Sequence, residues 1–205
     1  ISGYFFYGSN TSNSFFYNNV PLQRGNTETA HMIFCDACDN FTFYNDQYDS
    51  TTNTGGKVMY NTSSSHSMIL TVGGSQTIYN YGQIFGGYDA LKFYSSTGAK
   101  VYNHAGALIS TPVGGALAPI SLYSSSQSAS SNFSLLNWGT VGNSNYSHPV
   151  VYGRDAQTGF IGNFSGGALL AGSGGVLFNL ANASDFDVYN EGSIDINGDG
   201  LYIQS

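Results

Sequence analysis

The sequence predicts an all-β chain wound as one parallel β-solenoid, and three observations carry that reading. Helix formers and charges are scarce: five Lys plus Arg and 8% charged residues in 205, against 27 Gly, 16 Tyr and 14 Phe. A short phrase, an apolar residue or Tyr followed by Asn, recurs along the chain. Gly-Gly pairs starting at Gly55, Gly73, Gly86, Gly114, Gly166 and Gly174 punctuate the intervals. The length suits one substantial core, so residues 1–205 read as a single domain, with 1–17 and 191–205 as partial terminal coils.

The phrase sets the repeat. Its copies are Phe16-Tyr17-Asn18, Phe43-Tyr44-Asn45, Met59-Tyr60-Asn61, Ile78-Tyr79-Asn80, Val101-Tyr102-Asn103 and Val188-Tyr189-Asn190, with looser copies at Leu135-Leu136-Asn137 and Ile161-Gly162-Asn163. The asparagines lie 27, 16, 19, 23, 34, 26 and 27 residues apart, which predicts roughly seven to eight irregular coils. Three copies continue as Asn-x-Gly-x-aliphatic, at Asn80-Tyr81-Gly82, Asn137-Trp138-Gly139 and Asn190-Glu191-Gly192. Asn103-His104-Ala105-Gly106-Ala107-Leu108 reads as the same phrase with one residue added.

Alternation decides which way each residue points. In Val101-Tyr102-Asn103 the period of two puts Val101 and Asn103 on one side and Tyr102 on the other. If valine is inside, so is asparagine, where an unpaired amide is costly. Copies stacked about 4.8 Å apart can satisfy one another along the axis, an asparagine ladder. The glycine that follows is expected to supply the positive φ of a corner. No coil buries its apolar face alone, so the coils share one core. A β-sandwich with Tyr-Asn at its strand ends is the alternative; recurrence of Asn-x-Gly in one phase of the strand favours the solenoid.

Outside, Tyr17, Tyr44, Tyr60, Tyr79, Tyr102 and Tyr189 should form a stripe of rings that binds sugars, packs against another filament or stabilises the outer sheet face. A solenoid also ends in open strand edges. Neither end of the sequence carries an amphipathic helix or a charged cap, so one copy is expected to complete the next by strand addition, giving a head-to-tail homo-polymer. Excision from a longer solenoid is the rival reading. The start at Ile1, with no Met or leader, suits a processed form or a cut-out domain.

The segment Thr77 to Thr111, TIYNYGQIFGGYDALKFYSSTGAKVYNHAGALIST, resembles two turns of the right-handed parallel β-helix of bacterial autotransporter passengers and filamentous-haemagglutinin-type adhesins. The resemblance is good there, fair over Leu135–Ile203 and weak before Thr77. It implies a right-handed coil and an adhesive or scaffolding role.

Candidate chemistry is sparse. Cys35-Asp36-Ala37-Cys38 is a C-x-x-C whose expected state in a secreted chain is a local disulfide, Cys35 to Cys38; pairing between subunits, free thiols, redox chemistry and half a zinc site are the alternatives. Asp195-Ile196-Asn197-Gly198-Asp199-Gly200 matches the first half of a calcium loop, making Asp195, Asn197 and Asp199 candidate ligands, with a polar turn as the plain reading. His31, His66, His104 and His148 lie too far apart for a metal or triad spacing, and Gly-x-Ser-x-Gly does not occur. Asp36 with Asp39, Asp46 with Asp49 and Asp185 with Asp187 are the close carboxylate pairs that a polysaccharide-processing lyase or hydrolase would need. Sequons begin at Asn10, Asn40, Asn61, Asn132, Asn145, Asn163 and Asn182; ladder positions among them should be buried and unmodified.

A net charge of -7 with five cations leaves no basic face for nucleic acid or an anionic membrane, and no apolar run has transmembrane length. The expectation is therefore a non-enzymatic, extracellular or cell-surface structural and adhesive protein, self-associating, with calcium as the one candidate cofactor. The alternatives are the polysaccharide enzyme and a glycan- or ice-binding module.

Overall fold

The computed structural model describes residues 5–24, 31–60, 67–111, 117–124, 130–198 and 200–204. These residues form three parallel sheets and no helix. The first sheet stacks Phe6–Ser9, Ile33–Asp36, Ile69–Val72, Asp89–Tyr94, Ala118–Tyr123, Val151–Arg154, Phe178–Ala181 and Leu201–Gln204. The second stacks Phe15–Asn18, Phe41–Asn45, Gln76–Asn80, Lys100–Asn103, Phe133–Asn137, Thr158–Asn163 and Asp185–Asn190. The third stacks Pro21–Arg24, Lys57–Tyr60, Gln83–Phe85, Leu108–Ser110, Thr140–Asn143, Ala168–Ala171 and Ser193–Ile196. The chain visits the sheets in that order on every coil, so this is the β-solenoid the repeat predicts.

Alternation builds the core as columns. In the second sheet Phe43, Ile78, Val101, Leu135 and Ile161 occupy equivalent register positions two residues before each ladder asparagine, and all are fully buried. Val58, Ile84, Ile109, Val141 and Leu169 do the same in the third sheet. Each such side chain contributes about 1.5–3 kcal/mol on leaving water. Size varies within a column without leaving gaps: a Cβ on Gly159 would strike the Phe186 ring of the next coil.

The buried amides form the predicted ladder. The Nδ2 of Asn18 donates to Oδ1 of Asn45 at 2.8 Å, and the same bond runs Asn45 to Asn80 (2.8 Å), Asn80 to Asn103 (2.9 Å), Asn103 to Asn137 (2.8 Å), Asn137 to Asn163 (2.7 Å) and Asn163 to Asn190 (2.8 Å). In the five interior amides the second hydrogen is used as well. Asn80, Asn103, Asn137 and Asn163 donate to the carbonyls of Leu108, Thr140, Ala168 and Ser193 at 3.2, 3.1, 3.3 and 3.0 Å, and Asn45 bonds Gly56 at 3.0 Å. Every asparagine-to-asparagine bond points the same way along the axis.

Asn61, expected in that ladder, lies outside the described residues; the strand that leads to it, Lys57–Tyr60, belongs to the third sheet, paired with Pro21–Arg24 and Gln83–Phe85. Asn45 bonds Asn80 directly across 35 residues. Met59-Tyr60-Asn61 carries the phrase without the position, because the coil holds an insertion with an antiparallel ribbon, Tyr48–Asp49 against Thr54–Gly55. Two supposed coils are one.

The corner between the first and second sheets repeats too. Asn10, Ala37, Gly73, Ser95, Asp155 and Asn182, each directly after a first-sheet strand, have φ of 51°, 50°, 67°, 52°, 57° and 55°. This left-handed position explains several asparagines, since Asn adopts it more readily than most residues. The sequon asparagines Asn10, Asn40, Asn132 and Asn182 are all exposed with positive φ, whereas Asn163 is buried in the ladder. Beside this corner Cys35 and Cys38 form a buried disulfide, with the Thr11 hydroxyl 3.3 Å from Sγ of Cys38.

One carboxylate is inside. Asp89 is fully buried and accepts bonds from the hydroxyls of Ser121 (2.5 Å) and Ser67 (3.0 Å). Burial raises its pKa, opposed by the Ser121 bond, the Lys92 charge and the Ser67 bond. Between the ordinary carboxylate pKa and that raised value the folded chain holds a proton that the unfolded chain has released. The stabilisation is therefore full at lower pH and is lost as pH rises through the window.

Two outcomes are expected. Asn103→Ala removes the donations to Asn137 and Thr140 and leaves the Asn80 amide without its acceptor, so urea unfolding should show a loss of about 2–4 kcal/mol. Asn190→Ala, at an exposed end of the ladder, should lose less than about 1 kcal/mol; equal losses would count against the ladder as the stabilising spine. In thermal melts, wild type should lose stability relative to Asp89→Asn as pH rises above the ordinary carboxylate range, and the reverse slope would refute the protonated, buried state.

Candidate functional site

The outer face of the second sheet and the corner after it carry the most continuous feature of the surface. Tyr17, Tyr44, Tyr79 and Tyr102, one residue before successive ladder asparagines, are stacked with ring centroids 5.2, 6.2 and 4.9 Å apart. The column breaks at Leu136 and Gly162 and resumes at Tyr189. Tyr60, expected in this stripe, belongs to a strand of the third sheet and not of the second.

A second column, one residue after the asparagines, takes over where the first breaks. Tyr81 lies 3.7 Å from His104 at 7°, His104 6.1 Å from Trp138 at 18°, and Trp138 4.6 Å from Phe164 at 14°. Tyr44 to Tyr81 at 5.0 Å and Phe164 to Tyr189 at 5.7 Å join the two columns into one aromatic ridge. Sequence reading passed over this column although its signal was present: the x of Asn-x-Gly is aromatic at Tyr81 and Trp138. His104 is outward, as expected, but it is packed between rings. Burial lowers its pKa, so the imidazole is neutral near pH 7, and its Nε2 is buried without a hydrogen-bond partner among the described residues.

Carboxylates close the ridge at both ends. The Tyr17 hydroxyl donates to Asp46 at 2.7 Å, and Tyr189 donates to Glu191. Each bond raises the tyrosine pKa by holding the phenolic proton on an anion.

The corners beneath the ridge alternate in length. The third-sheet strand starts three residues after Asn18, Asn80, Asn137 and Asn190, at Pro21, Gln83, Thr140 and Ser193. It starts five residues after Asn103 and Asn163, at Leu108 and Ala168, and later still after Asn45. The pairing Gln83 to Leu108 and Ile84 to Ile109 shows that the long corner adds two residues, not one. The short-corner glycines are also not there for positive φ, which among the corner glycines is taken by Gly106 and Gly166. Gly139 sits where a Cβ would come within 2.5 Å of the carbonyl oxygens of His104 and Ala107, so the short corner nests into the long one before it.

Between two long corners the Trp138 coil leaves a notch of about 410 Å³, lined by His104, Ala105, Gly106, Trp138, Ser165 and Gly166. A second, shallower depression of about 400 Å³ on the outer sheet face includes Lys100, Phe160, Asp185 and Asp187, so the last carboxylate pair does share a surface. Asp49 instead serves its own turn: the backbone N–H of Thr51 bonds it and holds its carboxyl below the usual range. Asp195 is exposed in Ser193–Ile196 and Asn197 follows it, but Asp199 lies outside the described residues, so that trio is not seen together. His31 packs against Phe34 and His148 against Tyr146, and His66 lies outside the described residues. Among the described residues no three His, Cys, Asp or Glu converge into a cluster that could hold a metal ion, and no helix is long and apolar enough to cross a membrane.

Comparison with protein-family models, with curated proteins and with solved structures finds no match for this chain.

Gly139→Ala should destabilise by about 1–3 kcal/mol in chemical unfolding, because backbone carbonyls rather than movable side chains meet the new methyl. A neutral result would mean that the corners do not nest.

Proposed function

We propose that this chain is a non-enzymatic, extracellular structural and adhesive β-solenoid that assembles head to tail into a filament. The observation that carries the reading is the distribution of exposed apolar side chains. Among the described residues the large exposed ones, Phe5, Tyr7, Phe15, Tyr17, Val20, Val188, Tyr189 and Ile194, all lie on the first or the last three-strand coil. Val188 and Ile194 continue core columns: they are 47% and 39% exposed, whereas Ile161 and Leu169, one coil inside, are 0% and 1%. A further parallel coil would bury them.

The two ends are also complementary. Because every ladder amide donates in one direction, among the described residues the Asn18 end presents an Oδ1 that accepts no bond and the Asn190 end an amide that donates only to its own Gly192 carbonyl. Stacking the second end on the first would extend all three sheets in parallel and add one rung to the ladder. Such a contact joins different surfaces and does not close on itself, so it gives fibres and not pairs. The Cys35–Cys38 disulfide and the scarcity of charge support an oxidising, extracellular setting.

Analytical ultracentrifugation with negative-stain electron microscopy tests this. Wild type should form filaments in a concentration-dependent way. Val188→Asp combined with Ile194→Asp should stay monomeric with an unchanged circular dichroism spectrum. A wild type that sediments as a monomer at its highest soluble concentration overturns the proposal, and so do filaments of the double variant.

A further inference from the structure

We infer that Tyr44 and Tyr81 form a site of oxidative cross-linking, at which a peroxidase with hydrogen peroxide joins the two rings as dityrosine. The pair stands on the aromatic ridge, on coils inside the two ends, and does not depend on assembly.

Two geometries bring tyrosines together on this surface. Tyr17 with Tyr44, and Tyr79 with Tyr102, are register partners on neighbouring strands, with rings stacked at 5.2 and 4.9 Å. Such partners are separated by about 4.8 Å, one strand spacing, and their rings lie over one another. Dityrosine instead joins ring carbons beside the two hydroxyls edge to edge, which splays the Cβ atoms further apart than one strand spacing. Tyr44 and Tyr81 are a diagonal pair. Tyr44 is level with Tyr79, so Tyr81 stands two residues further along the next coil. One strand spacing combined with two residues of rise separates such positions by about 8 Å. The rings nevertheless converge to 5.0 Å with a tilt of 31°. This pair therefore has the wide base and the converging tips that a biaryl bond requires.

The surroundings suit loss of an electron together with a proton. Burial raises the Tyr44 pKa, and the charge and hydrogen bond of the Tyr81 hydroxyl raise it further, so the two phenol groups meet. Asp46 acts on Tyr44 through its charge and already accepts the Tyr17 hydroxyl at 2.7 Å, a carboxylate at hand for a released proton. His104 lies flat on Tyr81 at 3.7 Å and 7°, which holds that ring in place. Both tyrosines are partly exposed, within reach of an outside oxidant. No thiol of the chain competes for a tyrosyl radical, because its two cysteines form the Cys35–Cys38 disulfide.

The step balances. Each phenol gives up one electron and one proton, and the two radicals couple through ring carbons next to the hydroxyls. The ring protons displaced at the new C–C bond pass to the oxygens through water and restore both phenols. Hydrogen peroxide takes up the two electrons and two protons and leaves as two waters. The bond locks the longest ladder interval, the 35 residues from Asn45 to Asn80 that carry the antiparallel ribbon.

Folded chain at low concentration would be treated with a peroxidase and hydrogen peroxide, and the products read by dityrosine fluorescence and mass-spectrometric peptide mapping. The expected product is a single chain that has lost two hydrogen atoms, with the link mapped to Tyr44 and Tyr81. Tyr81→Phe, which retains the stacked ring, should keep the circular dichroism spectrum and lose the link. Tyr102→Phe should keep the link. In urea the same treatment should scatter links over the 16 tyrosines. Absence of an intramolecular link in the folded wild type overturns the inference. So does a link mapped to Tyr17 with Tyr44 or to Tyr79 with Tyr102, an undiminished yield in Tyr81→Phe, or an equal preference for Tyr44 with Tyr81 in urea.

Discussion

The fold depends on one constraint: an amide placed inside a dry column must find a partner at the same height on the next coil. An apolar column of Phe43, Ile78, Val101, Leu135 and Ile161 tolerates sliding, because one aliphatic contact is much like another. The neighbouring column of Asn45, Asn80, Asn103, Asn137 and Asn163 does not, since a shifted coil would leave buried donors and acceptors unpaired. The asparagines thus fix register, while the aliphatic columns supply most of the energy. With every amide oriented alike, the ladder also gives the solenoid a chemical direction, with an acceptor at one end and a donor at the other.

Fixed register is what makes the outer surface orderly despite coils of unequal length. Between first and last ladder asparagine the intervals are 27, 35, 23, 34, 26 and 27 residues, and the excess is placed in corners and in the ribbon at residues 48–55. Residues on either side of each asparagine stay at constant positions, so rings at those positions stack. Where Leu136 and Gly162 interrupt one column, Trp138 and Phe164 fill the adjacent one, and the space over Gly162 is taken up by the Phe160 and Phe164 rings. The ridge is a consequence of the ladder, and the notch is a consequence of the corners nesting short into long.

The same logic separates structural from available polar groups. Asn10, Asn40, Asn132 and Asn182 are exposed because corners need left-handed residues, and Asn163 is buried because the ladder needs an amide. Identical tripeptide patterns thus mean different things at different places on the coil. Asp89 is the exception inside, a carboxyl surrounded by the Ser67 and Ser121 hydroxyls with its pKa raised by burial.

The sequence alone determined the fold class, because alternation, Asn-x-Gly phase and glycine punctuation are local signals that each coil repeats. Seven of the eight proposed ladder asparagines are in the ladder for the same reason: inward position and amide chemistry are both readable from three residues. Tertiary pairing decided the rest. Met59-Tyr60-Asn61 carries the phrase, yet its strand lies in the third sheet, and nothing within three residues encodes which strand will be its neighbour. The glycine of the short corner was readable as a requirement but not as a cause; only the stacked carbonyls of His104 and Ala107 show that close approach, not positive φ, excludes a side chain at Gly139. The aromatic ridge was half visible, because its second column depends on residues from different coils meeting along the axis. A periodic sequence announces what each coil does alone, and contacts between unequal coils exist only once they are stacked.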